Sequence, residues 1–397
     1  MTSTQTKFDV GGVLLDRPFK VRRLGHFGFN VEDVEAGRHF YSDLLGFKVS
    51  DVSQRGGYFM RYGGDHHAFV LFRRGAPANP AMSAVAAPGN RTDVTINQIT
   101  WQTGSLAEVG NAARWFKEEG VPVRRTGRDM PGSNWHTYLF DPDGQSNELY
   151  YGIEQIGWNG HSKPRAMYDR GFDKPPELPQ ISEFDEVQQA KARGIDPTSG
   201  YRHADNLAAS YDVDGILLPR PFKIVRLGPV SLFVDDVANS EAFYREKLGF
   251  TLTEEVLWQG HRCLFLRCNT EHHSLALFPI ALRQVLGFSA HTKSAGLGLQ
   301  LANYRQLNVA VRFLKERGIK VREDIPTELH PGIDCAVHVL DPDGHMIQLY
   351  CAMEQIGWDG KPRPKELRRP LKMIDWPATL DGDSNVYLGE PFLGPWG

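Results

Sequence analysis

The sequence contains a long internal repeat. Residues 8–47 return at 211–250 with a constant offset of 203, so that "FDVGGVLLDRPFKVRRLGHFGF" is matched by "YDVDGILLPRPFKIVRLGPVSL". Each copy also closes on a matched segment, "DPDGQSNELYYGIEQIGWNG" ending at Gly160 and "DPDGHMIQLYCAMEQIGWDG" ending at Gly360. A repeat of this length indicates a duplicated structural unit. Residues that differ between the copies therefore point to roles that only one copy has.

The informative differences fall on side chains that bind metals. His26 in the first copy is Pro229 in the second, and Glu148 is Gln348. The segments held in common, including the two DPDG turns, are typical of structural elements, since Pro, Asp and Gly suit a tight turn. The comparison therefore favours a functional site in the first copy.

Composition limits the kind of protein this can be. The 397 residues suffice for two or more domains. Lys and Arg total 45 against 48 acidic residues, and no long run of one sign suggests a partner nucleic acid. All four cysteines lie in the second copy, so a duplicated disulfide framework is not indicated. The sequence has neither an apolar leader nor a run near the ~20 residues that span a bilayer, so we expect a cytoplasmic protein that does not bind membranes.

Each copy repeats one order of elements twice. In residues 22–73 and again in 97–151, an alternating strand pattern is followed by a helix pattern and three short strand patterns. Asp33 is placed to cap the first helix. Gly46 is placed to end that helix, and Gly120 to end the second. The sequence predicts an α+β protein with a tandem duplication, in which two βαβββ modules per half form a cup-shaped, incompletely closed barrel.

These patterns suggest four regions. Residues 1–160 form an N-terminal domain that carries the active site, and residues 211–360 form a C-terminal domain that is degenerate and structural. Residues 161–210 form a connector around one short helix, and residues 361–397 a tail, both rich in Pro and turn formers. We expect the connector and the tail to serve as packing arms or as contacts in a homo-oligomer.

Candidate ligands converge in the first copy. His26 lies on the first strand of module one, Gln98 at the same place in module two, and Glu148 on the last strand of module two. His67 is expected on the last strand of module one. Imidazole, amide and carboxylate groups on one concave face suit a divalent metal with open positions for substrate. Each of these side chains could instead be hydrogen-bonded within the barrel.

Four motifs carry a family resemblance. They are the two closings "YLFDPDGQSNELYY" and "HVLDPDGHMIQLY" and the paired-histidine strands "DHHAFVLF" and "EHHSLALF". Together with the repeated module order, they resemble the vicinal oxygen chelate superfamily. Within it, the four-module length looks most like type I extradiol ring-cleavage dioxygenases. The resemblance covers roughly residues 20–155 and 223–352.

The resemblance implies roles for five residues. His26 and Glu148 would be metal ligands, and Gln98 occupies the place of the family's second histidine ligand. His67 matches a histidine that moves protons, and Tyr138 a tyrosine that hydrogen-bonds the substrate oxygen. The cofactor implied is Fe(II) or Mn(II), and the reactants are O2 and a catechol-like aromatic.

Two alternatives remain open. Gln98 replaces an imidazole, so the 2-His-1-carboxylate set is incomplete, and the family's usual complete site lies in the other half. Superfamily epimerases and some glyoxalase I enzymes use Gln or Glu ligands, which favours an isomerase, epimerase or lyase with Zn, Co, Mn or Ni. The second copy, without a carboxylate, suggests a third possibility, a metal-free ligand-binding protein that resembles the bleomycin-resistance proteins.

Overall fold

The structure consists of two matching halves, each built on one eight-stranded sheet. The computed structural model describes residues 7–75, 95–128, 132, 135–168, 181–357 and 359–380. Sequence reasoning did not identify the short hairpin that opens each half, which pairs β1 (Phe8–Val10) with β2 (Val13–Leu15) and β11 (Tyr211–Val213) with β12 (Ile216–Leu218).

The N-terminal sheet contains eight strands, ordered β4-β5-β6-β3-β7-β10-β9-β8. They are β3 (Arg23–Val31), β4 (Lys48–Val52), β5 (Tyr58–Arg61), β6 (Phe69–Arg73), β7 (Ile96–Gln102), β8 (Val123–Arg128), β9 (Trp135–Phe140) and β10 (Ser146–Tyr151). The two modules meet where β3 pairs antiparallel with β7. Among the described residues the edge strands β4 and β8 do not pair with each other, so the sheet is an open cup.

The C-terminal sheet repeats this order as β14-β15-β16-β13-β17-β20-β19-β18. Its strands are β13 (Ile224–Val234), β14 (Thr251–Trp258), β15 (His261–Arg267), β16 (Leu275–Pro279), β17 (Ser294–Leu301), β18 (Val321–Arg322), β19 (Ala336–Leu340) and β20 (Met346–Tyr350). The predicted α+β fold, duplicated and built from open βαβββ pairs, is confirmed.

Helices cover the outer faces of the sheets. They are α1 (Val34–Arg38), α2 (Leu106–Glu118), α4 (Val237–Ala242), α5 (Ala281–Val285) and α6 (Tyr304–Lys315), whereas α3 (Glu183–Ala192) lies in the connector. The Asp33 carboxylate accepts hydrogen bonds from the Glu35 and Ala36 amides, as a capping residue does. Gly46 and Gly120 adopt the positive φ values of 92° and 69° with which helices commonly end. Between Arg38 and Gly46 the helix widens into a π-helical turn, His39–Leu44, which the sequence pattern did not reveal.

The closing turn of each half docks onto the other half. Tyr41 donates a hydrogen bond to Asp341 Oδ2 at 2.8 Å, and Tyr244 donates to Asp141 Oδ2 at the same distance. One buried hydrophobic cluster contains residues of both sheets. The shared DPDG turns therefore hold the two halves together.

The connector and the described part of the tail pack as arms. The connector contains α3, as predicted, and its Asn206 donates to the Asp43 carboxylate. In the tail, the Leu371 amide donates to the Asp334 carbonyl at 2.8 Å, and Trp376 lies against Tyr304. The aromatic segment 388–397 lies outside the described residues. The domain boundaries and the homo-oligomer stay predictions. In the part of the chain that is described, every helix is too short or too polar to cross a bilayer.

Candidate active site

Strand register places four side chains of the N-terminal half in one row. Across the neighbouring strands β3, β7, β10 and β9, His26 is opposite Thr100, Thr100 is opposite Glu148, and Glu148 is opposite Tyr138. Residues directly opposite each other in a sheet project from the same face. Gln98 lies two residues before Thr100 in β7 and therefore shares that face. The sheet alone thus gathers five side chains at the centre of the cup.

The Glu148 carboxylate is the centre of this row. Its Oε2 atom lies 3.1 Å from His26 Nε2 and accepts hydrogen bonds from Gln98 Nε2 at 3.2 Å and Thr100 Oγ1 at 2.9 Å. His26 and Glu148 are each only 1% exposed. The structure therefore brings together the three side chains that the sequence nominated as ligands, while their coordination of a metal stays a prediction.

The surroundings of Glu148 hold it ionised. Burial alone would raise the pKa of this carboxyl, but the attraction and hydrogen bond of His26, the nearby His136 and the Thr100 hydroxyl lower its pKa to about 2. A buried carboxylate is costly unless it is paired or bound to a cation. A permanent negative charge at the base of a cup suits the binding of a cation.

The donor set and its spacing fit a divalent cation. Two ligands on adjacent positions of an octahedral ion, at about 2.1–2.2 Å from it, stand roughly 3.0–3.1 Å apart, and the His26–Glu148 and Gln98–Glu148 contacts are 3.1 and 3.2 Å. To coordinate, the Gln98 amide would have to flip, so that Oε1 takes the position of Nε2. The two ends of an amide have nearly the same shape, so the flip leaves the outline of the side chain unchanged. Among the described residues no group of three or more His, Cys, Asp or Glu side chains could hold a metal. A metal bound in this row would therefore take Gln98 as a donor beside His26 and Glu148.

His67 lies beside the row but not on a strand. The sequence placed it on the last strand of module one, and this was wrong, because β6 begins at Phe69 and His67 belongs to the segment that enters it. Its ring is 4.5 Å from the His26 ring, and its Nδ1 atom is 3.1 Å from His66 Nδ1. Burial, reinforced by the charges of His26 and His66, lowers the pKa of His67 well below its usual value. The imidazole is therefore neutral and a weak base, which suits it to accept a hydrogen bond.

Tyr138 lies near the row's outer end. Its hydroxyl donates to Gln98 Oε1 at 3.4 Å, and its ring lies 4.7 Å from the His136 ring. Gln98 is half-buried, whereas His26, Glu148 and Tyr138 are buried, so Gln98 is the more accessible of the nominated ligands.

Two residues of the site escaped sequence reasoning. Thr100 bonds Glu148 directly, and His136 Nδ1 lies 3.6 Å from Glu148 Oε1. Both could have been found from the repeat, since Thr100 corresponds to Gly298 and His136 to Ala336. The same comparison had already singled out His26 and Glu148.

The corresponding row of the C-terminal half has no charged member. Gln348 stands opposite Gly298 and His338, and its Nε2 atom lies 3.1 Å from His338 Nε2. Pro229 and Gly296 occupy the places of His26 and Gln98. With one imidazole, one amide and no carboxylate, this row is poorly suited to hold a divalent metal.

Comparison with known proteins identifies a family. The family model described as "Glyoxalase/Bleomycin resistance protein/Dioxygenase superfamily" matches residues 23–149 and again residues 226–349. The two matches fall on the two sheets. They contain the full row from His26 to Glu148 and its counterpart up to Gln348.

Individual relatives match more distantly. The chain is 26% identical over 174 residues to the 2,2',3-trihydroxybiphenyl dioxygenase of Sphingomonas paucimobilis, a match that covers 42% of this chain and 57% of that protein. It is 29% identical over 163 residues to Metapyrocatechase 2 of Cupriavidus necator, covering 39% of this chain and 46% of that protein. The chain thus spans about half the length of these two relatives.

A solved structure shows the same fold. The 2,3-dioxygenase LapB from Pseudomonas sp. KL28 aligns with a TM-score of 0.57 over 87% of this chain and 96% of its own, at 18% identity. At this identity the likeness concerns the fold alone. It extends over both halves and supports their assignment as a repeated pair.

Proposed function

Because the chain belongs to the Glyoxalase/Bleomycin resistance protein/Dioxygenase superfamily, we propose that its N-terminal cup is a divalent-metal site at which a catechol-like aromatic is cleaved with O2. The observation that carries this proposal is the convergence of His26 and Gln98 on the ionised Glu148 carboxylate at 3.1 and 3.2 Å. The relatives named above as a dioxygenase and a metapyrocatechase support the choice of reaction.

His26, Gln98 and Glu148 would hold Fe(II) or Mn(II). When bound, such a cation would supply a Lewis-acid centre that brings two neighbouring substrate oxygens and O2 together. Because the three side chains come from one sheet, through β3, β7 and β10, the substrate and O2 would reach the cation from the concave side of that sheet. Glu148 supplies the only negative charge among the three donors.

His67 and Tyr138 would act on the substrate. His67 is neutral because burial lowers the pKa of its imidazole. Since the same shift weakens it as a base, it would accept a hydrogen bond from a substrate hydroxyl and would receive the proton only where that hydroxyl is acidified at the cation. The Tyr138 hydroxyl, 3.4 Å from Gln98 Oε1, would donate a hydrogen bond to the second substrate oxygen. Burial of the row excludes bulk water from the reacting groups.

The test is anaerobic reconstitution with Fe(II), followed by a panel of catechols and measurement of O2 uptake and of ring-opened product by absorbance. We expect uptake with at least one catechol, and its loss in Glu148→Gln. Absence of uptake with every catechol, although the metal is bound, would contradict the proposal.

One observation favours a second candidate reaction. Gln98 stands where a second imidazole would complete the 2-His-1-carboxylate set typical of O2-activating iron sites. A Gln-containing set suits proton-transfer chemistry at a metal-polarised carbonyl, as an isomerase, epimerase or lyase performs with Zn, Co, Mn or Ni.

The variant Gln98→His separates the two candidates. If the site is oxidative, completing the imidazole pair should preserve or raise O2 uptake by the Fe(II) form. If the site is non-oxidative, the same variant should lower turnover of a vicinal-oxygen substrate that the unmodified protein converts without O2. Tyr138→Phe serves as a control, since it should reduce either reaction without changing the metal set.

A further inference from the structure

Two adjacent histidines connect the N-terminal row of donors to an acidic side chain of strand β4. His67, whose ring lies 4.5 Å from the His26 ring, has its Nδ1 atom 3.1 Å from His66 Nδ1. The other ring nitrogen of His66, Nε2, lies 3.8 Å from Asp51 Oδ2. His66 and His67 are 1% and 5% exposed, whereas the Asp51 side chain is 27% exposed. The three residues therefore form a series from a partly exposed carboxylate to the buried row.

The C-terminal half contains the same series with a closer carboxylate. Glu254 is the counterpart of Asp51, and its Oε2 atom lies 3.1 Å from His272 Nε2. The Nδ1 atoms of His272 and His273 are again 3.1 Å apart. Burial favours the neutral carboxyl, but hydrogen bonds from His272 and Arg368 lower the pKa of Glu254 to about 2. An ionised carboxylate can only accept hydrogen bonds, so His272 carries a hydrogen on Nε2.

The same reasoning assigns the hydrogens of the N-terminal pair. The His66 Nε2 atom is buried, hydrogen-bonds no described residue and faces the Asp51 carboxylate, whose negative charge favours an N–H at that position. A neutral imidazole has only one N–H, so His66 Nδ1 is then an acceptor. His67 Nδ1 must accordingly donate to it. The lone pair of the His67 ring is therefore left on Nε2.

Gly132 closes the contact between the two Nδ1 atoms. Its φ is 83°, and a Cβ atom on it would lie 2.4 Å from His66 Nδ1 and 2.8 Å from His67 Nδ1. Its carbonyl accepts a hydrogen bond from the Glu154 amide at 2.9 Å, which holds its backbone in this place. A water molecule at that Cβ position would stand too close to His66 Nδ1. On this side each Nδ1 atom therefore depends on the other for its hydrogen bond.

We propose that Asp51 and His66 are positioning residues that hold His67 as its Nδ1–H tautomer, so that the bare Nε2 atom accepts a hydrogen bond from a substrate hydroxyl. The tautomer follows from the contacts of the three side chains, whereas its use toward a substrate rests on the function proposed for the N-terminal cup. In the C-terminal half Pro229 replaces His26, so the matching series there has no row of metal donors to serve.

The tautomer is measured by two-bond 1H–15N NMR of the full chain labelled with 15N-histidine, in EDTA at pH 8 and without substrate. We expect His67, assigned by the signals that His67→Gln loses, to carry its hydrogen on Nδ1. Asp51→Asn removes the charge and should shift His67 toward the Nε2–H form. Asp51→Glu, which copies the other half, should keep the Nδ1–H form. Glu254→Gln is the matched control and should leave the His67 signals unchanged.

Turnover separates this inference from the proposed function. With Fe(II) and a catechol, Asp51→Asn should lower kcat by a smaller factor than the ~100-fold or more that loss of a positioned acid or base costs. Its Mn(II) affinity should stay unchanged, because Asp51 acts through His66. A hydrogen on His67 Nε2 in the unmodified protein, an unchanged His67 spectrum in Asp51→Asn, or an unchanged kcat in that variant would overturn the inference. The expected spectra without cleavage of any catechol would contradict the proposed function instead.

Discussion

The two cups share a backbone plan and differ in the chemistry of one row of side chains. In the N-terminal cup the row contains His26, Thr100 and Glu148, whose side chains contact one another around a single ionised oxygen. In the C-terminal cup the corresponding places hold Pro229, Gly298 and Gln348. The first row is thus built around an ionised carboxylate, whereas the second has an amide in its place. The fold therefore supplies the cup, and four or five strand positions decide whether its row of side chains suits a cation.

The largest expected effect comes from making the N-terminal row resemble the other. Glu148→Gln substitutes the amide found in the second copy and removes the only anionic donor. Since loss of groups that merely support a ligand costs ~10–100-fold in metal affinity, we expect at least ~100-fold weaker Mn(II) binding. Electron paramagnetic resonance of free Mn(II) measures this. The matched variant Gln348→Ala should leave Mn(II) affinity unchanged, and an equal loss there would contradict the contrast between the cups.

The next effect concerns Asp141, in the DPDG turn that accepts a hydrogen bond from Tyr244 of the other half. Burial, with the nearby Asp143 charge, raises the pKa of Asp141 to about 7, although Tyr244 and the turn amides partly oppose this. The folded protein then holds a proton that the unfolded chain releases near its ordinary pKa of 3.8. Stability from this group is therefore greatest below pH 4, falls as the pH rises toward 7, and is constant above. The loss is on the order of 4 kcal/mol.

Asp141→Asn should flatten this pH dependence, measured as the urea midpoint of unfolding between pH 4 and 8. The counterpart turn suggests a second variant, because His345 Nδ1 lies 2.8 Å from Asp341 Oδ2 where the N-terminal turn has Gln145. Gln145→His should give Asp141 a similar partner and also reduce the loss toward pH 7. Identical profiles for all three proteins would show that Asp141 does not retain its proton.

A smaller effect is expected at Thr100, which donates to the Glu148 carboxylate at 2.9 Å. Thr100→Val removes that donor while keeping the shape, and a hydrogen bond to a charged group contributes about 2 kcal/mol. The free energy of unfolding should fall by about that amount in a urea titration. Thr100→Ser keeps the hydroxyl and should lose less. Equal losses in both variants would indicate that the methyl packing, not the hydrogen bond, matters.

The smallest effects are expected at Tyr41 and Tyr244, the tyrosines that hydrogen-bond the DPDG turn of the other half. Tyr41→Phe removes one hydrogen bond to Asp341 and should cost about 1 kcal/mol. Tyr244→Phe should cost more, because the Tyr244 hydroxyl both donates to Asp141 and accepts from Asn147. Urea midpoints of the two variants give the comparison. A larger loss for Tyr41→Phe would contradict this ranking.

The fold could be predicted from sequence alone because two features are visible in it. They are the internal duplication and the different spacing of apolar residues in strands and in helices. The cap at Asp33 and the glycine endings were also visible, since each depends on a single local residue. The π-helical turn after Arg38 was not, because it forms where a helix meets tertiary packing. His67 was placed on a strand because strand ends depend on pairing, and the ladder between β5 and β6 begins only at Phe69.

For the site, sequence identified the residues that differ in charge between the copies. It nominated His26 and Glu148 because Pro229 and Gln348 stand in their places. Thr100 was missed although it differs from Gly298 in the second copy, because only the strand register shows that it lies between His26 and Glu148. The need for glycine at 298 depends on the close approach of the Gly228 carbonyl and of Pro229 Cδ, which no pattern of letters contains.

The central claim is that one cup of this chain holds a divalent cation and the other does not. The most direct test is an equilibrium titration of the full chain with Mn(II), compared with His26→Ala. We expect one Mn(II) site per chain in the unmodified protein and loss of that site in His26→Ala. Two equivalent sites, no saturable site, or one site unaffected by His26→Ala would contradict it.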